Sequence, residues 1–168
     1  LSEARPDGEV LRIEATSPFE RLSEKQRMRL IVRVLCELVA YDESWPSSFE
    51  SERSLLEAVL GRWLAGTIEH IGSTAVPGLP AKPVIDIMAP VKTLEASRPA
   101  IDAAPNAGYV YCPYKVEVMH WFCKPSPYFR THHLHLVPFE SPLWYQRLAF
   151  RDALRQCATL TAEYADLK

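Results

Sequence analysis

The chain has 168 residues, 48% of them apolar and 24% charged, enough for one domain with its own core and too apolar for a disordered chain. Its formal net charge of −2 gives no overall signal for nucleic-acid binding. No run approaches the ~18 unbroken apolar residues that a membrane span needs.

No signal-peptide pattern opens the chain, which begins on Leu1 rather than Met, so further residues ahead of it are expected. Cys36, Cys112, Cys123 and Cys157 match no C-x-x-C, zinc or haem spacing. Free thiols in a reduced, cytoplasmic protein are the expectation.

In chain order, residues 1–33 mix charge, Pro and Gly and predict a loosely attached arm. Within it, Ser23 with Gln26 forms a capping box for a short helix through Arg33. Val34 to Tyr41 reads as a strand. Trp45-Pro46 opens a helix whose buried stripe is Phe49, Arg53, Leu56, Leu60 and Trp63, joined by Val59 and Leu64. Thr67 to Ile71 is a short strand broken at Gly72, and a Pro- and Gly-rich loop follows to Pro83. Val84 to Pro90 is an apolar strand holding one acid, Asp86. A weak helix is predicted over Leu94–Ala104, then strands over Tyr109–Cys112, Val116–Cys123 and Thr131–Val137. Helices over Leu143–Arg155 and Leu160–Lys168 close the chain. This order implies an α+β (α/β) sandwich, one mixed β-sheet flanked by helices, in a single domain over residues 34–168.

Charge is uneven. From Gly72 to Pro138 the acids are Asp86, Glu95, Asp102 and Glu117, and the bases are Lys82, Lys92, Arg98, Lys115, Lys124 and Arg130. A basic middle in an acidic chain points to a small anionic ligand rather than a polyanion.

Three groups of residues carry chemistry. Gly72-Ser73-Thr74 ends a strand with backbone N–H groups and two hydroxyls at one point, which suits phosphate oxygens but also makes an ordinary turn. Strand alternation puts Val84, Asp86 and Met88 on one face, and an acid there needs a metal, a hydrogen-bond network or an ion pair with Lys82 or Arg130. His133 and His135 share one face of their strand, where two imidazoles hold a metal, grip a phosphate or serve the structure. Arg130 and Lys124 add positive charge nearby in sequence. On the last long helix, Arg151 and Arg155 are expected to knit helix to sheet rather than to touch ligand.

Residues 68–87, Ile-Glu-His-Ile-Gly-Ser-Thr-Ala-Val-Pro-Gly-Leu-Pro-Ala-Lys-Pro-Val-Ile-Asp-Ile, resemble the signature segment of the GrpB (glutamate-rich protein) family. Residues 41–46, 130–136, 149–155 and 162–168 resemble further family motifs in the same order, so the likeness runs over residues 34–168. It implies a nucleotidyltransferase-like fold. Gly72, Ser73, Thr74, Lys82, Lys124, Arg130 and His133 would then meet a phosphorylated small molecule or nucleotide. Asp86 and His135 would act on the reacting groups, and Asp86, His133 and His135 would hold Mg²⁺ or Mn²⁺.

One departure matters. Met88 stands where that superfamily carries its second carboxylate, and a thioether is a poor ligand for Mg²⁺; Glu117, His133 and His135 are the other available donors. Transfer of a nucleoside monophosphate and simple binding of a phosphorylated ligand both stay open. So does a non-catalytic folding or interaction module, since similar domains are fused to dephospho-CoA kinase. Neither nucleic acid nor membrane is an expected partner, while a protein partner is left open.

Overall fold

The structure is a computed structural model, and it describes Ser23 and residues 37–168. Apart from Ser23, the expected arm and its short helix lie outside the described residues, as do Val34 to Cys36. Helix α1 spans Trp45–Leu60 and strand β1 Glu69–Ile71, followed by β2 at Ile85–Val91. A one-turn helix α2 covers Ala100–Ala103, then come β3 at Val110–Tyr111, β4 at His120–Pro125 and β5 at Arg130–Pro138. Helices α3, Pro142–Gln156, and α4, Ala158–Asp166, finish the chain.

The strands form one mixed sheet in the order β1-β2-β5-β4-β3. Only the central β2–β5 pair is parallel; the other three neighbours are antiparallel. Its register sets Asp86 beside His133 and Met88 beside His135.

Side-chain alternation gives the sheet two unlike faces. Ile85, Ile87 and Ala89 of β2 join Leu134, Leu136 and Phe122 against Trp45, Phe49, Leu56 and Leu60 of α1, forming the main core. On the other face Met88, Val137, Ile71 and Met119 pack with Trp144 of α3. That second cluster leaves the start of β2, with Asp86 and the imidazoles opposite it, outside the apolar packing.

Both long helices begin as their sequences imply. Pro46 sits in the first turn of α1, where its missing N–H costs nothing. Pro142 does the same in α3, whose N-cap Ser141 accepts a hydrogen bond from the Trp144 amide. The buried stripe of α1 is Trp45, Phe49, Glu52, Leu56 and Leu60. It therefore contains an acid, while Trp63 lies beyond the helix in a 3-10 turn.

Three expected elements differ. Of the described part of the Val34–Tyr41 strand, residues 37–41, only Val39 pairs, through a two-way bridge to Ala81. Pro80 and Pro83 flank that partner and have no N–H to donate, so no ladder extends. The Leu94–Ala104 helix shrinks to α2 and a 3-10 turn, because the Ser97 hydroxyl bonds back to Thr93 and Leu94 carbonyls and Pro99 stands at the N-cap. The Val116–Cys123 strand starts only at His120. Val118 and Met119 amides both turn back onto the Lys115 carbonyl, and pairing begins where β4 meets Leu136.

Candidate functional site

The site begins at the end of β1. Gly72 has φ 71° and ψ −171°, backbone that a residue with a Cβ scarcely adopts. A Cβ there would lie 2.9 Å from the Asp86 Cβ and 3.0 Å from its Cγ. The glycine thus lets the Asp86 carboxylate press against the turn. Ser73 follows, and its Oγ accepts a hydrogen bond from Lys168 Nζ at 2.7 Å. Lys168 Nζ also donates to the Pro80 carbonyl at 2.9 Å, tying the end of the last helix to the Pro-rich loop.

Asp86 is part-exposed, at 29% of its side chain, and faces imidazoles. Its Oδ1 lies 2.9 Å from His133 Nδ1 and 3.7 Å from His135 Nε2. A carboxylate only accepts, so the His133 Nδ1–H donates to Asp86 Oδ1. His133 Nε2 and His135 Nε2 are both buried without a hydrogen-bond partner. Burial by itself raises the Asp86 carboxyl, but the His133 hydrogen bond and the neighbouring His135 imidazole outweigh it and hold the group well below the usual carboxylate range. Burial pushes His135 below the ordinary imidazole value despite Asp86, so it is neutral at pH 7.

A cavity of about 240 Å³ opens over these groups, lined by Ser73, Thr74, Lys82, Asp86, His133 and Lys168, with Leu38 and Val84 at its apolar side. The turn's Ser73, the lone acid and His133 therefore line one cavity, while buried His135 comes within 3.7 Å of the acid without lining it. Lys82 and Lys168 set two cations against one carboxylate there.

Not every expected residue joins them. Thr74 lines the cavity, but its hydroxyl donates to the Val84 carbonyl at 3.1 Å and accepts from His70 Nε2 at 3.0 Å, so its proton is committed to the fold. Lys124 lies on the α1 face, where its Nζ reaches both oxygens of buried Glu52 at 2.8 and 3.0 Å. Strand alternation, which separates residue 124 from 121 and 123, puts it behind the sheet. Arg130 donates from Nε to the Pro127 carbonyl, and its guanidinium lies 5.1 Å from the Trp121 ring centre. That ring is 5.1 Å from the His133 ring, so Arg130 flanks the imidazoles across Trp121 without lining the cavity. Among the described residues neither Lys82 nor Arg130 forms an ion pair with Asp86, and Glu117 is exposed ahead of β4, outside the cluster.

Arg151 and Arg155 hold α3 to the β1 region: Arg151 binds Glu69 at 2.7 Å and the His70 carbonyl, and Arg155 binds the Ala75 carbonyl. Sequence reasoning missed Lys168 as a cavity residue. Its segment carries a family resemblance, but nothing in the pattern of a terminal helix says that its end returns to a serine 95 positions earlier.

One oxygen from Asp86 and one nitrogen from each of His133 and His135 lie within 4.8 Å of one another. This donor set fits the Mg²⁺ of the implied superfamily poorly. Two of three donors are nitrogen, and Met88 is fully buried in the apolar cluster where a second carboxylate would stand.

The family description "GrpB protein" matches residues 36–168. The chain belongs to the GrpB family. It is 33% identical over 136 residues to the glutamate-rich protein GrpB of Alkalihalophilus pseudofirmus, covering 78% of each chain. The crystal structure of conserved protein GrpB from Enterococcus faecalis superposes with a TM-score of 0.71 at 32% identity, covering 78% of this chain and 79% of that one. The mixed five-stranded sheet with its helices is thus the fold of a solved GrpB protein. A segment is also 38% identical over 96 residues to a dephospho-CoA kinase of Mycolicibacterium paratuberculosis, covering 55% of this chain and 22% of that enzyme. Other relatives are longer, and this chain spans 38% of one and 55% of another. No helix among the described residues is long and apolar enough to cross a membrane.

Proposed function

We propose that this GrpB-family chain binds a phosphorylated small molecule, a nucleotide being the natural class, with its phosphate against Ser73, Lys82 and Lys168. The observation that carries this reading is the Ser73–Lys168 contact at 2.7 Å on the wall of a cavity with two cations and one internally compensated acid. A mobile ammonium held by a hydroxyl and a carbonyl can turn to a phosphate oxygen at little cost. The nucleotidyltransferase-like resemblance supports a nucleotide, because that superfamily holds phosphates at a Gly-Ser turn ending one strand and places an acid on the next.

Binding rather than transfer is proposed. Transfer of a nucleoside monophosphate with Asp86 and His135 on the reacting groups would call for a second hard ligand, and Met88 supplies none. No step of the proposal runs through a metal. The cavity of about 240 Å³ is smaller than most sites that enclose a whole ligand, so the phosphate end would enter and the rest lie outside. The setting proposed is cytoplasmic, where free thiols such as Cys112 and Cys123 persist.

One observation favours a second reading, an interaction module without ligand: the likeness to a fifth or so of a dephospho-CoA kinase. Thermal unfolding of the full chain in EDTA, with inorganic pyrophosphate, AMP, ADP and ATP as probes, separates the two. A ligand at 100 times its Kd adds about 2.7 kcal/mol of stability. Stabilisation by at least one probe that Ser73→Ala and Lys168→Met both remove upholds the binder. No shift with any probe, or an undiminished shift in both variants, overturns it.

A further inference from the structure

We propose that Asp86, His133 and His135 form a mononuclear site for a divalent metal of the imidazole-binding class, Zn²⁺ foremost, rather than for the Mg²⁺ that the resemblance implies. This deepens the reading above by adding a metal to the same cavity, yet it stands on different atoms.

The first support is geometric. Metal–ligand distances near 2.1 Å place neighbouring donors about 3.0 Å apart around an octahedral ion and about 3.4 Å apart around a tetrahedral one. The observed separations from Asp86 Oδ1, 2.9 Å to His133 Nδ1, whose proton a metal would displace, and 3.7 Å to His135 Nε2, bracket those values. Parallel pairing of β2 with β5 sets Asp86 beside His133, and the two-residue period of β5 returns His135 to the same face. Sheet registration therefore holds the donors, not a flexible loop.

The second support is independent: a polar atom left without a partner. His135 is only 6% exposed, and its Nε2 has no hydrogen-bond partner. Its Nδ1 lies 3.4 Å from the Met119 sulfur, a weak acceptor, and its Nε2 lies 3.7 Å from Asp86 Oδ1, beyond hydrogen-bond distance. A buried imidazole nitrogen without a partner costs free energy, and a cation between it and the carboxylate would remove that cost.

The third support is donor chemistry. Two neutral imidazoles and one carboxylate suit Zn²⁺, Fe²⁺ or Co²⁺, whereas Mg²⁺ takes oxygen ligands in a near-ideal octahedron. Trp121, whose ring is 5.1 Å from the His133 ring and 6.5 Å from the His135 ring, walls one flank, and Asp86 and His133 line the cavity on the other. An ion there would keep an open side toward the cavity.

The test uses the full chain freed of metal with EDTA and then dialysed, with no phosphorylated ligand present. Calorimetric titration with ZnCl₂ and, separately, with MgCl₂ reads the site directly. The expected result is one Zn²⁺ per chain at micromolar affinity or tighter, and no saturable heat with Mg²⁺ at millimolar concentration. Co²⁺ in place of Zn²⁺ should give visible absorption bands of nitrogen and oxygen ligation, a readout that needs no variant. Asp86→Asn and His135→Gln, each checked for folding by circular dichroism, should weaken Zn²⁺ by about 100-fold or more. Absence of Zn²⁺ binding, preference for Mg²⁺, or undiminished Zn²⁺ affinity in folded His135→Gln would each overturn the proposal. Zn²⁺ binding in a chain that ignores every phosphorylated probe would uphold this inference and defeat the earlier reading, and the converse pattern would do the reverse.

Discussion

Replacing Gly72 with Ala should damage both fold and site, and its magnitude follows from two terms. Backbone at φ 71°, ψ −171° belongs to a region nearly closed to residues with a Cβ, at a cost of about 1–3 kcal/mol. The added methyl would stand 2.9 Å from the Asp86 Cβ and 3.0 Å from its Cγ. Relieving that contact moves backbone or carboxylate by several tenths of an ångström, an overpacking cost of about 1–3 kcal/mol. Together they predict a loss of about 2–6 kcal/mol in urea denaturation at pH 7. The displaced carboxylate also leaves His133 Nδ1, now 2.9 Å away, so ligand affinity in the cavity should fall in whatever fraction stays folded. Gly78→Ala is the matched control: its φ is 77° but nothing lies within 4 Å of the new methyl, so only a backbone cost remains. A loss below about 1 kcal/mol for Gly72→Ala, or equal losses for both glycines, would refute the claim that Gly72 exists to admit Asp86.

Two further outcomes are expected. Lys124→Met strands the buried Glu52 carboxylate, whose ammonium partner sits at 2.8 and 3.0 Å; the loss should be about 3 kcal/mol, and Glu52→Leu in the same chain should restore most of it. Because this pair lies behind the sheet, ligand and metal titrations should not change, and a changed titration would place Lys124 back at the cavity. Acid should weaken the fold through His70, which burial, then the charges of Arg155 and Arg151, hold at about 4 against an ordinary 6.5. Above pH 6.5 both states are neutral and the stability is full; below it the unfolded chain takes up a proton that the folded chain refuses until about pH 4. Over that window the loss approaches about 3 kcal/mol, and His132 and His135, both shifted downward by burial, steepen it. Denaturation curves at several pH values should flatten in His70→Gln; an unchanged slope in that variant would remove His70 from the account.

Local pattern determined a good part of this protein. The period-2 alternation of Val84 to Met88 already places Asp86 and Met88 opposite Ile85 and Ile87, and the same period puts His133 with His135 and apart from Leu134 and Leu136. Proline in the first turn marked the first long helix; Pro142 does the same for α3, whose expected start was Leu143. Glu52 was legible too, lying in step with Trp45, Phe49 and Leu56, though the expected stripe named Arg53 in its place.

What the sequence could not decide is where separate segments meet. Strand pairing chooses partners by twist, register and covering helices, and none of these is encoded in the spacing of one strand. The parallel β2–β5 register alone puts Asp86 against His133. Alternation on β4 alone could not say that Lys124 faces Glu52 72 positions away, nor could the last helix announce that Lys168 reaches Ser73. Face is a local property and follows from the chain's own period; neighbourhood is a global one and exists only once the sheet has closed.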